Sequence, residues 1–188
     1  MNSLFTRNID EHRSVLASLA ALDDRVQEAA ALLSSSLLSG GKIMFCGNGG
    51  SAADSQHLAA EFTGRLAHDR RPLAAIALVT DASALTCIAN DYSFEAVFAR
   101  QVQGLGRQGD CLVGISTSGK SANVLAAMRA ARSIGMATVG LLGHDGGWLR
   151  ESVDCAITVA SSSTARIQEM HILIGHTLCG LVEEALGL

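Results

Sequence analysis

Five short apolar runs divide the chain: Lys42–Cys46 (KIMFC), Leu73–Val79 (LAAIALV), Cys111–Ile115, Ala137–Leu142 and Cys155–Val159. None alternates apolar with polar positions, so each predicts a strand buried on both faces rather than one with a wet side. The stretches between them have helical periodicity. One runs from Ser51 to Gly64, two fall around residues 82–89 and 93–105, one ends near Ile134, and one from about Thr164 to Leu186 closes the chain. Upstream, residues 3–39 predict two helices. Leu16, Leu19 and Ala20 form part of an apolar stripe on the first. Val26, Ala29, Ala30, Leu33 and Leu37 do so on the second, with Asp23 or Asp24 as its cap and Gly40-Gly41 as its stop. Buried strands separated by helices imply a parallel sheet covered on both faces. Right-handed crossovers make it a doubly wound five-stranded α/β sandwich preceded by an N-terminal helical pair. No linker, internal repeat or low-complexity segment interrupts the pattern. The whole of 1–188 is therefore expected to be one domain, with residues 1–40 as the helical pair and 41–188 as the α/β core.

Composition narrows the function classes. Hydrophobic residues make up 48% and charged residues 17%, a balance that excludes a disordered chain. The net charge of −4 and 4% aromatic content argue against a nucleic-acid surface, which needs basic excess and stacking platforms. The five cysteines are widely spaced, lie in no CxxC pair, and read as reduced thiols. The N-terminus is too charged for a secretory signal. No apolar run reaches the ~18 residues of a membrane span, so a cytoplasmic protein is expected.

In a doubly wound sheet, ligands bind beyond the carboxyl ends of the strands. Two loops there carry chemistry. Ser116-Thr117-Ser118-Gly119-Lys120-Ser121 sets three hydroxyls and free backbone N–H groups before a helix, a cradle for phosphate. It is also compatible with a plain Ser-rich helix cap. Gly47-Asn48-Gly49-Gly50-Ser51 lets backbone approach a ligand closely, with Asn48 and Ser51 as hydroxyl partners, or is simply a tight turn. Gly114 through Ser121 also satisfies GxxxxGK[ST], the Walker A pattern, with Asp81 as a possible Walker B acid. Against that nucleotide reading, Gly114 belongs to the apolar run, which leaves the loop short.

His57 and Glu61 stand one turn apart on one helix face, a spacing for one metal ion, an acid–base pair or a surface ion pair. The last helix carries Gln168, Glu169, His171 and His176 within an otherwise apolar pattern. Gln168 and His176 flank one face, about 80° apart. A satisfied core histidine is the competing explanation for both imidazoles.

Taken together, GNGGSAADSQHLAAEF, IANDYSFEAVFARQV, GISTSGKSANV and ARIQEMHILIGHTLCGLVEE resemble the phosphoheptose isomerases, members of the sugar isomerase (SIS) domain superfamily. The resemblance covers about residues 40–186 strongly and the N-terminal helices in outline. It implies conversion of sedoheptulose 7-phosphate to D-glycero-D-manno-heptose 7-phosphate through an enediol, the first step towards nucleotide-activated heptose. It further implies a bound zinc ion and a homotetramer. By motif match, the zinc ligands fall on His57, Glu61, Gln168 and His176, and the acid–base pair on Glu61 and His176. Substrate contacts fall on Asn48, Gly49, Gly50, Ser51, Glu61, Asn90, Asp91, Ser116, Thr117, Ser118, Ser121 and Gln168. A non-catalytic relative in the superfamily binds a protein partner and lacks the equivalents of Glu61 and His176, both present here. The alternatives are thus a non-catalytic SIS protein that binds a partner or senses sugar phosphate, and a P-loop enzyme. Gln168 and His176 lie about 12 Å apart along one helix. That spacing leads to the expectation that different subunits share in building each site, the N-terminal helices bringing the partners together.

Overall fold

The computed structural model describes residues 2–188. The first helix, α1 (Leu4–Ser18), starts at Ser3, whose Oγ accepts the Thr6 N–H. A single 3-10 turn over Leu19–Leu22 leads without a break into α2 (Asp23–Leu38). Asp23 and Asp24 occupy the first turn of α2 rather than its cap, where their charge complements the helix dipole instead of closing the N–H groups. The stripe expected on α1 is only half sunk into this chain: Val15 and Leu19 rest partly buried against the core, α1 fully buries no residue, and Leu16 stays 41% exposed.

Five strands follow: β1 (Ile43–Gly47), β2 (Ala75–Ala77), β3 (Cys111–Ser116), β4 (Ala137–Gly143) and β5 (Cys155–Val159). All pairings are parallel, in the order β2-β1-β3-β4-β5. The run at Leu73–Val79 contributes only three residues to the ladder. Leu73 N–H bonds instead to the Phe62 carbonyl, and Leu78 N–H to that of Phe45, so the run's buried leucines pack at the ends of a short edge strand.

Side chains alternate across the sheet. Phe45, Val113, Ile115, Leu141 and Ile157 face α2, α3 (Gly50–Thr63) and α7 (Thr164–Leu186). Met44, Cys46, Leu112 and Leu142 face α5 (Val97–Leu105) and α6 (Ala122–Ile134). A remaining helix, α4 (Ala82–Asp91), is capped by Asp81, whose Oδ1 accepts the Ala84 N–H. The strand order reverses between β1 and β3, so the crevice above those two strands is where this topology places a ligand. Both candidate loops, after β1 and after β3, open there.

Candidate active site

The packing of α3 on α7 assembles the polar cluster. Residue numbers rise together along the two helices, and glycines mark the close approaches. A Cβ on Gly50 would lie 2.2 Å from Gln168 Nε2, and one on Gly175 would lie 2.5 Å from Leu58 Cδ2. Between these contacts, His57 and His176 face each other with Nε2 atoms 2.8 Å apart, so one ring donates to the other. Glu61 Oε1 stands 3.4 Å from His57 Nε2. One ligand atom from each of His57, Glu61 and His176 lies within 4.8 Å of the others, and all three belong to one chain. This narrows the expectation that each site is shared between subunits: the triad itself assembles within one chain because α3 lies alongside α7, and Gln168 is not part of it. Gln168 contacts Gly50 at the start of α3, while His176 meets His57 two turns further on.

The donor set suits a zinc ion. Two imidazoles and a carboxylate converge with lone pairs in mutual reach, a three-ligand set that leaves a coordination position for substrate oxygen. Cys179, on the same helix pair, does not compete. Burial, then the charges of Glu61 and Glu183, push its thiol up to about 12, so it offers no thiolate.

The loop after β3 presents donors that could hold an anion. Ser116 Oγ and Ser121 Oγ are 2.8 Å apart. Ser121 is the N-cap of α6 but makes no side-chain cap; Val124 N–H goes to Asn123 Oδ1 at 3.0 Å, which leaves the N–H groups of Ala122 and Asn123 for another acceptor. Ser118 Oγ accepts the Lys120 N–H at 3.2 Å. Gly119 is held against the next loop, its carbonyl accepting Leu149 N–H, and a Cβ there would sit 2.1 Å from Gly146 O. Lys120 lines a cavity of ≈ 560 Å³ with Ser118, His144, Asp145, Ser161 and Ser162.

The nucleotide reading loses its parts. Gly114 sits inside β3, paired with Cys46 and Gly140, which leaves only Thr117–Lys120 between strand and α6 cap. Asp81 is committed to capping α4.

On the loop after β1, Gly49 has φ +57° and ψ −120°, a backbone conformation that favours glycine. Asn48 is locked by a reciprocal amide pair with Asn123: Asn48 Nδ2 donates to Asn123 Oδ1 at 2.9 Å and Asn123 Nδ2 donates to Asn48 Oδ1 at 2.8 Å. Asn123 was missed in the sequence, although an Asn in the apolar first turn of α6 is a visible oddity. It ties the Gly-rich loop to the start of α6. Asp54 was also missed. It lies two turns before Glu61 on the same stripe of α3, with Oδ2 buried and without a protein partner, and burial raises its pKa. Ser51 is buried at the start of α3. Asn90 and Asp91 stand exposed at the end of α4, where Asn90 Nδ2 donates to Asp91 Oδ1 and the Cys87 thiol to Asp91 Oδ2. The bond from Asn90, then that from Cys87, holds the Asp91 carboxyl below its ordinary range. His171 is the core histidine: fully buried, it donates Nε2–H to the Leu142 carbonyl at 3.0 Å.

Comparison with known proteins identifies the family. The SIS domain family matches residues 8–143. A phosphoheptose isomerase of Nitratiruptor is 63% identical over 144 residues, 77% of each chain. One from Campylobacter jejuni is 50% identical over 184 residues, 98% of this chain and 99% of the relative. The solved phosphoheptose isomerase of Neisseria gonorrhoeae superposes with a TM-score of 0.91 at 46% identity, over 96% of this chain and 97% of that one. With the shared fold, the near-complete coverage and the assembled His57, Glu61 and His176, the chain belongs to the phosphoheptose isomerases, a family of phosphosugar isomerases built on the SIS domain.

Proposed function

We propose that this protein isomerises sedoheptulose 7-phosphate to D-glycero-D-manno-heptose 7-phosphate, supplying the path to nucleotide-activated heptose. The observation that carries this reading is the convergence of His57, Glu61 and His176 within one chain, near the switch point where the phosphate cradle opens. The Ser116–Ser121 loop and the first turn of α6 take the 7-phosphate. The Asn48–Ser51 loop and Gln168 take sugar hydroxyls.

The reaction moves a proton from C1 of the ketose to C2 of the aldose and needs no redox partner. Glu61 accepts the C1 proton and returns it to C2. His176 moves the second proton between O2 and O1 of the enediol. The Glu61 side chain is only 19% exposed, which shields the proton it carries from exchange with bulk water. A zinc ion on His57, Glu61 and His176 would supply Lewis-acid polarisation of the substrate oxygens, Gln168 lying about two turns away against Gly50.

The active form is proposed to be a homotetramer. The outer surface of α1, with Leu4 and Phe5 exposed at its start and Leu16 exposed near Leu173 of α7, is the face offered to other copies. What a neighbouring copy would add to the site is Asn90 and Asp91, which bond only locally here, and not either histidine of the triad. The test is NMR of sedoheptulose 7-phosphate incubated with purified, zinc-loaded protein. Growth of aldose anomeric signals is expected, and their absence from folded protein refutes the activity. Native mass spectrometry reads the oligomer.

A further inference from the structure

The polar strip between α3 and α7 extends beyond the triad. Glu183 lies seven residues after His176 on the same stripe of α7, and faces Arg70 in the segment that follows α3. The Arg70 side chain is 3% exposed and that of Glu183 is 13% exposed. Arg70 Nε donates to Glu183 Oε1 at 2.7 Å. Its other nitrogens turn back on the end of α3. Nη2 donates to the Glu61 carbonyl at 2.8 Å, and Nη1 to those of Phe62 at 2.8 Å and Gly64 at 3.0 Å. The last carbonyls of a helix lack intrahelical donors, and a cation there is favoured by the dipole. Arg70 therefore closes α3 at the residue whose carboxylate belongs to the triad, while anchoring that end to the helix that carries His176.

We infer that Arg70, with Glu183, is a positioning residue for the reaction: it fixes the backbone of Glu61 relative to His176, and so sets the separation of the two proton-transfer groups. This rests on the proposed roles of Glu61 and His176. The guanidinium fork is required, because an ammonium cannot reach the carboxylate and several carbonyls in one plane. The phosphate cradle lies on the β3–α6 side and makes no contact with Arg70, so substrate capture should be insensitive to the change.

Arg70→Lys retains the charge opposite Glu183 but loses the fork. With sedoheptulose 7-phosphate, its kcat should fall about 10- to 100-fold, the range for outer-shell partners of a metal site, with KM within about threefold. In the cobalt-substituted protein the visible ligand-field spectrum should shift, because Glu61 is displaced. Glu183→Gln, which keeps an acceptor for Arg70, should lose less than Arg70→Lys. A kcat within twofold of the parent and an unchanged cobalt spectrum overturn the proposal. So does a fall in kcat matched by lost helical circular dichroism. Should Arg70→Lys not fold, Glu183→Gln decides: an unaltered kcat and spectrum overturn it, a reduced kcat at constant KM supports it. Glu61→Gln run alongside keeps the readings apart. If it retains turnover, the role given to Glu61 fails. If it is inactive while both other variants are normal, only the positioning role fails.

Discussion

Replacing Gly175 by Ala tests whether helix separation controls the site. The new methyl would start 2.5 and 2.7 Å from the two Leu58 Cδ atoms and 3.1 Å from Cγ. Carbon atoms prefer about 3.5–4.0 Å. Leu58 is 1% exposed, so it has nowhere to retreat. The helices must therefore part by about 1 Å, at the residue next to His176. Overpacking of this kind costs about 1–3 kcal/mol, offset by up to about 1 kcal/mol from the better helix propensity of alanine. Net destabilisation of about 0–3 kcal/mol leaves the fold intact, with a melting temperature lowered by roughly 0–12 °C. The 2.8 Å His57–His176 separation, which spans the two helices, cannot absorb the same displacement. A misplacement of about 1 Å costs on the order of 100-fold in rate. Steady-state kinetics with sedoheptulose 7-phosphate should thus give kcat down about 100-fold, KM little changed and a cooperative melt. Trimming the obstacle, Leu58→Ala with Gly175→Ala, should recover part of the rate even though the core is weaker. A Gly175→Ala enzyme within threefold of the parent kcat would refute the idea that close helix contact sets the site.

Three further outcomes are expected. Ser118→Ala should raise KM and leave kcat nearly intact, whereas Lys120→Ala should do less than Ser118→Ala; an ATPase activity abolished by Lys120→Ala would contradict the phosphate-cradle reading, and steady-state kinetics checks both. Mixtures of His57→Ala and His176→Ala subunits should stay inactive after exchange verified by mass spectrometry, because both lesions fall in one chain's triad; recovered activity would mean the triad is rebuilt across subunits. His171 has its pKa lowered by burial to about 4 from 6.5, so below pH 6.5 the unfolded chain binds a proton that the native one refuses. Its share of stability is lost as pH falls from about 6.5 to about 4, by about 2 kcal/mol between pH 7 and 5; urea titrations should find this slope reduced in His171→Gln, and equal slopes would contradict it.

The architecture was legible because burial on both faces writes itself into sequence as unbroken apolar runs. Ile43–Gly47, Cys111–Ser116, Ala137–Gly143 and Cys155–Val159 needed only their ends adjusted. The second run misled in extent because burial and strand pairing are different things: Leu73 and Leu78 are buried, yet only Ala75–Ala77 join the ladder. On α1 the periodicity was real, but the stripe is only partly used here: Val15 and Leu19 rest against the core while Leu16 stays exposed, and a single sequence does not say how much of an apolar face is meant for its own core.

The site was legible in membership more than in geometry. His57 and Glu61 follow from i,i+4 spacing, because a helix carries its own ruler. The contact with His176 depends on how near α3 and α7 lie, and that distance is written in Gly50 and Gly175. Neither glycine has a left-handed φ. Both are required because a side chain there would strike the opposite helix, and a pattern of polarity does not register a missing Cβ. The sequence therefore suggested an incomplete site in each subunit where the fold closes the triad within one. The same blindness hid Asn123 and Arg70, whose partners, Asn48 and the carbonyls of α3, lie respectively far along the chain and on the backbone. Residues that bear the chemistry stand out by type and spacing. Those that hold it in register are ordinary residues, made specific by what the fold sets against them, and Gly175 and Arg70 are the two places where that difference can be measured.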